Sequence, residues 1–251
     1  MKRYITMAAL LAVTVFAAPV TAGNERVGPT PPKPANATNA VAVTCSNSIV
    51  QDCGFENGPN GGVWTDASTN FGSPICDVGS CGIGNASQGP YDGTYWAWFG
   101  GIIGTEESSE SQSITLPANS TATLTFHFMA PGCSGDSNDF IEVTIDGNPL
   151  WTYNATGALC GIASPYAQIS VDISAFADGS AHTLAFHSIV NGTGTVVTNF
   201  FVDDVDVITA PLAPVASYTA VPSLGSWGLA GLLALLGLAA AWRLRRQSGI
   251  G

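Results

Sequence analysis

Three carboxylates near the two ends of the central part of the chain have the chemistry of a cation site. Glu56 lies near its start, and Asp203 and Asp204 lie near its end. Alternate residues on a strand share a face, so Asp203 is expected to be buried on the same side as Phe201 and Val205. A buried carboxylate needs backbone N–H donors, protonation or a bound cation. Calcium binds carboxylate and carbonyl oxygens and fits Glu56 with Asp203 or Asp204, unless these carboxylates only cap turns and accept backbone N–H groups.

The charge distribution removes the usual partners of such carboxylates. The formal net charge is −11, and the span Cys45–Ile208 contains no Lys or Arg. The basic residues of the chain are Lys2, Arg3, Arg26, Lys33, Arg243, Arg245 and Arg246. No carboxylate in this span can therefore pair with a Lys or Arg side chain. Nucleic acid is excluded as a partner of the span, because nothing in it neutralises phosphates.

Catalytic signatures are absent from the sequence. It contains no Gly-x-Ser-x-Gly, His-Glu-x-x-His or Gly-rich phosphate loop. His127 and His187 lie among aromatic residues in expected strands and His182 begins one, positions typical of core or surface histidines. A cluster of carboxylates in a Ser-rich stretch is expected to form a solvated loop: Glu106, Glu107 and Glu110. We therefore expect no catalytic activity.

Aromatic side chains give an indication of a ligand. In the run Tyr95–Phe99, Trp96 and Trp98 share one face of a strand, and Tyr95 and Phe99 share the other. One face must be core, and the other is either core as well or an exposed platform on which sugar rings stack. Tyr91 precedes this run. Further aromatic residues that would extend the platform are Trp64, Trp151 and Tyr153.

The central part of the chain has the pattern of short strands. Segments rich in β-branched and aromatic residues are separated by Gly, Pro, Asn or Asp. They are Tyr95–Ile103, Ala122–Met129, Phe140–Ile145, Leu150–Tyr153, Ala167–Ile173, His182–Ile189 and Val196–Val207. Asp146-Gly147 predicts a hairpin turn. Because long helical periodicity is missing, the pattern predicts an all-β domain, a two-sheet antiparallel β-sandwich of the jelly-roll type.

Six cysteines in an exported chain predict three disulfides. Many pairings are possible, and the local sequence favours Cys76 with Cys81, which bracket a short loop. Cys133 and Cys160 each lie in a Gly-containing loop beside the central hairpin, and Cys45 and Cys53 would fix the start of the domain. A metal site is the alternative, but no Cys-x-x-Cys with matching histidines supports it.

Both ends of the chain carry export and membrane signals. Residues 1–22 have the form of a signal peptide, with two basic residues, an apolar run and a small-residue cleavage site. A flexible Pro-rich leader, 23–43, precedes the β-sandwich domain, 44–208, and a Pro/Ala spacer, 209–220, follows it. The uncharged stretch Leu224–Trp242 would span about 28 Å as a helix, roughly a bilayer core. The Arg cluster behind it is expected to stay cytoplasmic.

The C-terminal segment, 221–251, resembles a bacterial sorting signal. The residues Val221-Pro222-Ser223-Leu224, then Trp227-Gly228, an apolar helix and an Arg cluster are similar to the IPTL-CTERM signal of Gram-negative bacteria, which reads Ile-Pro-Thr-Leu-Ser-x-Trp-Gly. Val221, Ser223 and Gly225 depart from that pattern. The resemblance implies recognition and cleavage by an exosortase-type enzyme in the inner membrane. A plain C-terminal membrane anchor is the alternative.

A second resemblance covers the first and last strands of the domain. Phe55-Glu56-x-Gly58 followed by Trp64, and the closing run Phe201–Val205, look like those of galactose-binding-like jelly rolls, which include carbohydrate-binding modules and MAM-type adhesion domains. Many of those modules hold a structural calcium between a Glu of the first segment and an Asp of the last. The resemblance implies that Glu56 and Asp204, and less directly Asp203, are ligands of a structural Ca²⁺.

Three functions fit these observations. We expect an exported, non-catalytic jelly-roll module with an adhesive or structural role, delivered by its C-terminal tail to the periplasm, cell surface or extracellular matrix. The alternative is a carbohydrate-binding module for exopolysaccharide, and the second alternative is a hydrolase.

Overall fold

The computed structural model describes residues 45–82, 89–161, 166–192, 197–213 and 225–247. The chain forms two compact units that divide after Leu212. The regular secondary structure described in the first unit consists of strands, apart from short helical turns at Val78–Cys81 (α1) and Ser174–Phe176, and the second unit contains a helix. The expected signal peptide and the Pro-rich leader lie outside the described residues.

The strands of the first unit form two sheets. They are β1 Thr65–Ser68, β2 Ile75–Asp77, β3 Tyr95–Gly100, β4 Glu106–Thr115, β5 Ser120–Gly132, β6 Phe140–Ile145, β7 Asn148–Asn154, β8 Ala167–Asp172, β9 Ala181–Val190 and β10 Asn199–Pro211. Sheet A has the order β1-β4-β9-β6-β7, and sheet B has the order β2-β3-β10-β5-β8. Neighbouring strands in both sheets are antiparallel. The predicted fold class, a two-sheet antiparallel β-sandwich, is confirmed.

The main core lies between the two sheets. Alternate residues of β5, Leu124, Phe126 and Phe128, are buried there with Leu184 and Phe186 of β9. The rings of Phe126 and Phe186 meet edge to face, with 5.2 Å between their centroids. Apolar residues at every second position thus give each sheet one face that must be covered.

The predicted hairpin at Asp146-Gly147 is confirmed. Ile145 of β6 pairs with Asn148 of β7, so the two residues between them form the turn. Both have positive φ, 52° for Asp146 and 75° for Gly147. Asp and Gly tolerate this conformation, which matches the twist of the two strands.

The prediction of a solvated loop at Glu106, Glu107 and Glu110 is wrong. These residues lie in strand β4, which pairs with β1 and β9. Glu106 and Glu110 point inward and are 1% and 0% exposed, whereas Glu107 is exposed. Glu106 accepts hydrogen bonds from the Ser68 hydroxyl and the Asn70 backbone N–H. Glu106 can occupy an inward position because these local donors bond to its carboxylate, which an apolar alternation pattern does not reveal.

Two of the expected disulfides are present, Cys45–Cys53 and Cys133–Cys160. The first ties the start of the domain together, and the second joins the end of β5 to the segment after β7. Cys76 of β2 and Cys81 of α1 are both fully buried, and their bridge stays a prediction.

The second unit contains the helix α2, Ser226–Gln247. It has 22 residues, about 33 Å at 1.5 Å per residue. By length and composition it can cross a membrane. Trp227 and Gly228 of the expected sorting motif lie in its first turn, whereas Val221, Pro222, Ser223 and Leu224 lie outside the described residues.

Candidate functional site

A β-bulge in β10 places the carboxylates that the sequence singled out. Asp203 pairs with His127 of β5 but Asp206 pairs with Thr125, so β10 has one more residue than β5 between these pairs. Asp204 sits in this bulge with a φ of 49°, a left-handed conformation that Asp tolerates better than most residues. The extra residue reverses the alternation of side chains along the rest of the strand.

This reversal corrects the predicted orientation of Asp203. Val205 and Val207 face the main core between the sheets. Phe201 instead packs in a second apolar cluster, made with Cys76, Cys81, Trp96, Trp98 and Met129. Asp203 precedes the bulge and shares the face of Phe201, the outer face of sheet B. Asp203 is buried as predicted, but on the opposite side of the sheet from Val205.

Backbone donors surround the Asp203 carboxylate. Oδ2 accepts the N–H groups of Tyr91 at 2.8 Å and Asp92 at 3.3 Å, and Oδ1 accepts that of Asp204 at 2.8 Å. The side chain is 0% exposed, and burial raises its pKa well above the ordinary value although these N–H groups oppose the shift. Asp203 therefore fits the alternative in which a carboxylate binds backbone N–H groups.

Asp203 binds the start of the segment Tyr91–Tyr95, and Glu56 binds its end. Its Oε1 accepts the N–H groups of Thr94 at 2.7 Å and Tyr95 at 3.0 Å. Gly93, which directly precedes Thr94, has a φ of 70°, and a Cβ atom there would clash with Glu56 Oε1. Burial raises the pKa of Glu56, opposed by the two N–H groups. Together, Glu56 and Asp203 fix the segment Tyr91–Tyr95 through its backbone.

The expected calcium ligands fit a cation only in part. Glu56 Oε2 and Asp204 Oδ1 are buried and have no hydrogen-bond partner, so each retains an oxygen for a cation. Both oxygens of Asp203 already accept N–H groups. Within the described ranges, no group of three His, Cys, Asp or Glu side chains is arranged to hold a metal ion. A Ca²⁺ at Glu56 and Asp204 would need backbone carbonyls or water to complete its coordination.

The tryptophans expected to form a sugar platform are buried. Trp96 and Trp98 are 0% and 1% exposed and pack with Phe201 in the second apolar cluster. Trp98 Nε1 donates to Asn199 Oδ1 at 2.7 Å. The other face of β3 lies in the main core with Phe99. Both faces of this strand are covered, which corrects the expectation that Trp96 and Trp98 contact a ligand.

The other two tryptophans also belong to the core. Trp64 is 4% exposed, and its Nε1 donates to the Asp52 carbonyl at 2.9 Å. Trp151 is half-buried and packs edge to face against Phe126 and Phe128, with centroids 5.2 and 5.1 Å apart. Tyr153 stacks beside Trp151 and is likewise packed against the core.

A groove on the outer face of sheet B brings polar side chains together. It encloses about 220 Å³ and is lined by Cys45, Ser46, Cys53, Thr125, His127, Gln168, Asp204 and Asp206. We call it the acidic groove. Thr125 and His127 lie at alternate positions of β5, Gln168 lies opposite on β8, and the bulge turns Asp204 and Asp206 of β10 toward the groove.

An aromatic side chain stacks on His127, the histidine of the acidic groove. Tyr91 stacks on His127 with 3.6 Å between ring centroids and an interplanar angle of 10°. Tyr91 also meets Tyr166 edge to face and remains 49% exposed. Its position is set by the bond from its N–H to Asp203. The half-exposed ring of Tyr91 therefore lies beside the groove, whose lining supplies acceptors and an amide.

Two groups of the groove, His127 and Asp204, have shifted pKa values. Burial lowers the pKa of His127, and the Asp204 carboxylate, 3.8 Å from its Nδ1, opposes that shift. Burial raises the pKa of Asp204, and the carboxylates of Asp92 and Asp206 raise it further while His127 opposes the shift. The groove lining contains no Lys or Arg, and burial disfavours the charged form of His127.

Sequence reasoning did not assign Gln168 and Asp206 to a site, and it placed His127 among core or surface histidines. The alternation Thr123, Thr125, His127 in β5 indicates a polar outer face. Which strands lie beside it depends on the sheet order, which the sequence does not give.

Comparisons with known proteins describe the fold. No protein-family model matches the chain, and no curated protein sequence matches it. Several solved structures are similar to it. The carbohydrate-binding module TmCBM61 in complex with β-1,4-galactotriose is similar with 15% identity over 65% of this chain and 99% of that one, TM-score 0.45. The K3 cleaved adhesin domain of Lys-gingipain from Porphyromonas gingivalis w83 has 16% identity over 62% and 96%, TM-score 0.40.

An enzyme is also among the similar structures. The Stig cyclase Fisc from Fischerella sp. TAU has 14% identity over 66% of this chain and 98% of that one, TM-score 0.40. A binding module, an adhesin domain and a cyclase thus resemble the same β-sandwich. No ligand, residue role or activity follows for this chain from similarities of this size.

Proposed function

We propose that this protein is an exported, non-catalytic carbohydrate-binding module that its C-terminal helix holds at a membrane. The acidic groove beside Tyr91 carries the proposal. Sugars offer apolar ring faces that stack on aromatic side chains, and hydroxyl groups that bond to carboxylates and amides. Gln168, Asp204 and Asp206 supply the polar groups in the groove, and Tyr91, which stacks on the lining residue His127, supplies an aromatic ring beside it.

The size of the groove favours binding over hydrolysis. Its volume of about 220 Å³ is below the roughly 300–1,000 Å³ that pockets for drug-sized ligands enclose. It suits one sugar unit of a longer chain. A hydrolase must hold sugar units on both sides of the bond that it cleaves, with a carboxyl group on each side. Asp204 and Asp206 instead belong to one strand, and the lining that β5 and β8 contribute, Thr125, His127 and Gln168, contains no carboxylate.

The tail supplies the location. α2 has the length of a membrane span, and its basic residues Arg243, Arg245 and Arg246 keep that end cytoplasmic. The β-sandwich is then outside, where its disulfides are stable. The exosortase-type signal at Val221–Gly228 would release the module to the cell surface or matrix, and structural Ca²⁺ at Glu56 and Asp204 belongs to the same proposal.

Binding to polysaccharides tests the proposal. Full-length protein in nanodiscs is passed over a panel of immobilised exopolysaccharides and plant glycans, and Kd is measured for each. We expect binding to at least one, weakened at least tenfold by Tyr91→Ala. The control Glu107→Gln changes an exposed residue of sheet A and leaves Kd unchanged. If no glycan binds and none changes the melting curve of the protein, the adhesive or structural role is favoured.

A further inference from the structure

The acidic groove has no internal cation. All but one of the 18 Asp and Glu residues lie in Cys45–Ile208, the exception being Glu25, and this span has no Lys or Arg. A compensating charge for its carboxylates must therefore come from histidine or from outside the domain. His127 is the histidine that lines the groove. It lies 3.8 Å from Asp204, too far for a hydrogen bond.

The groove carboxylates are short of hydrogen-bond donors. Oδ1 of Asp204 and Oδ1 of Asp206 are buried and have no hydrogen-bond partner. His127 Nδ1 is also buried and without a hydrogen bond. The buried carboxylates of Asp203 and Asp139, by contrast, are bonded to backbone N–H groups or hydroxyls. Carboxylates that lack such donors are stabilised by a nearby positive charge. The groove is therefore matched to a ligand that brings a cation and several donors.

An ammonium group meets these requirements better than a metal ion or an anionic sugar. It is a compact charge with three N–H donors, and it is attracted to the face of an aromatic ring such as that of Tyr91. No group of three metal-ligating side chains occurs among the described residues. Uronate or phosphate sugars would be repelled by Asp204 and Asp206. An ammonium attached to a sugar ring also provides the apolar face that Tyr91 can stack on.

We propose that the acidic groove selects polysaccharides that carry free amino groups, and binds their cationic amino-sugar units through Asp204, Asp206 and Tyr91. This inference rests on the proposed carbohydrate-binding function and names its ligand class. The cationic ligand replaces the Lys or Arg that the domain lacks.

Three oligosaccharides with one backbone test the charge requirement. They are β-1,4-linked hexamers of glucosamine, N-acetylglucosamine and glucose, which differ only at the carbon-2 substituent: amine, acetamide or hydroxyl. Kd for each is measured by calorimetry with full-length protein in nanodiscs. We expect the amine hexamer to bind at least tenfold more tightly than the other two, since charge-assisted hydrogen bonds exceed neutral ones. Its Kd rises with added salt.

Two substitutions test whether the groove carboxylates cause the tighter binding of the amine hexamer. Asp206→Asn removes one groove charge with little change in shape and should weaken binding of the amine hexamer about tenfold, and binding of the neutral hexamers by a much smaller factor. Asp178→Asn makes the same change at an exposed site away from the groove and should have no effect. The melting temperature of each variant is measured, so that a loss of binding is not confused with a loss of folding.

The outcomes separate this inference from the proposed function. If the three hexamers bind equally, or the glucose hexamer binds most tightly, the amine requirement is wrong but carbohydrate binding stands. If a chelator abolishes binding of the amine hexamer without lowering the melting temperature, and Ca²⁺ restores binding, the cation in the groove is a metal and the inference is overturned. If no hexamer binds, the inference is wrong, and the wider glycan panel decides the proposed function independently.

Discussion

Asp203 accepts the backbone N–H of Tyr91 at 2.8 Å across 112 positions of sequence. This bond joins the last strand of the domain to the loop that carries the exposed ring of the acidic groove. The same carboxylate also accepts the N–H of Asp92, and Glu56 accepts those of Thr94 and Tyr95. The buried Asp203 and the half-buried Glu56 thereby fix the backbone of the segment that carries Tyr91.

Replacing Asp203 with Asn should destabilise the fold by about 1–3 kcal/mol. The amide NH₂ cannot accept an N–H, so at least one of the three backbone donors around this site loses its acceptor. Asp206→Asn is the matched control on the same strand and should change stability by less than about 0.5 kcal/mol. Urea unfolding of the full-length protein in detergent micelles, followed by tryptophan fluorescence, measures both. Equal effects of the two variants would contradict the role of Asp203.

The sequence predicted the strands with strong apolar alternation, but it could not predict the change of phase in β10. Period-two reasoning placed Asp203 and Val205 on one face, and the bulge at Asp204 puts them on opposite faces. The bulge depends on pairing with β5, a contact distant in sequence. A local pattern of side chains carries no information about such an extra residue.

The tryptophans show a second limit of the sequence. Alternation correctly separated Trp96 and Trp98 from Phe99, yet it could not say that both faces of β3 are covered. The cover over the outer face includes Cys81 of α1, an element that the strand pattern did not predict. Strand β4 shows the opposite case. Its Ser- and Glu-rich composition is typical of a loop, yet it pairs with β9 as a strand.

The two disulfides should contribute unequally to stability. Cys133–Cys160 spans 27 positions and Cys45–Cys53 spans 8, so chain-entropy estimates give about 3.5 and 2.5 kcal/mol. Cys133→Ser with Cys160→Ser should therefore lower the free energy of unfolding by more than Cys45→Ser with Cys53→Ser. Mass measurement before and after reduction also counts the bridges, and we expect three, including Cys76–Cys81. A larger loss for the shorter loop would contradict this ranking.

His182 should titrate above its ordinary pKa. Hydrogen bonds to Asp146 Oδ2 at 2.7 Å and Asp178 Oδ1 at 3.1 Å favour its charged form. Because the folded-state pKa exceeds the unfolded-state value of about 6.5, the stabilisation is complete below that pH. It is lost as the pH rises through the folded-state pKa. An NMR titration should show this raised pKa falling in Asp146→Asn. No change in that variant would rule out the pair with Asp146 as the main cause.

Calcium should raise the melting temperature of the protein through Glu56 and Asp204. An ion that binds only the native state stabilises it by about 2.7 kcal/mol at 100 times Kd, about 5–10 °C for a domain of this size. A chelator should remove the increment, and so should Glu56→Gln, which weakens the buried oxygen that lacks a partner. Asp203→Asn should lower the melting temperature but keep the increment, because the Asp203 oxygens already accept N–H groups. An unchanged melting curve on chelation would mean that backbone N–H groups alone hold the segment Tyr91–Tyr95.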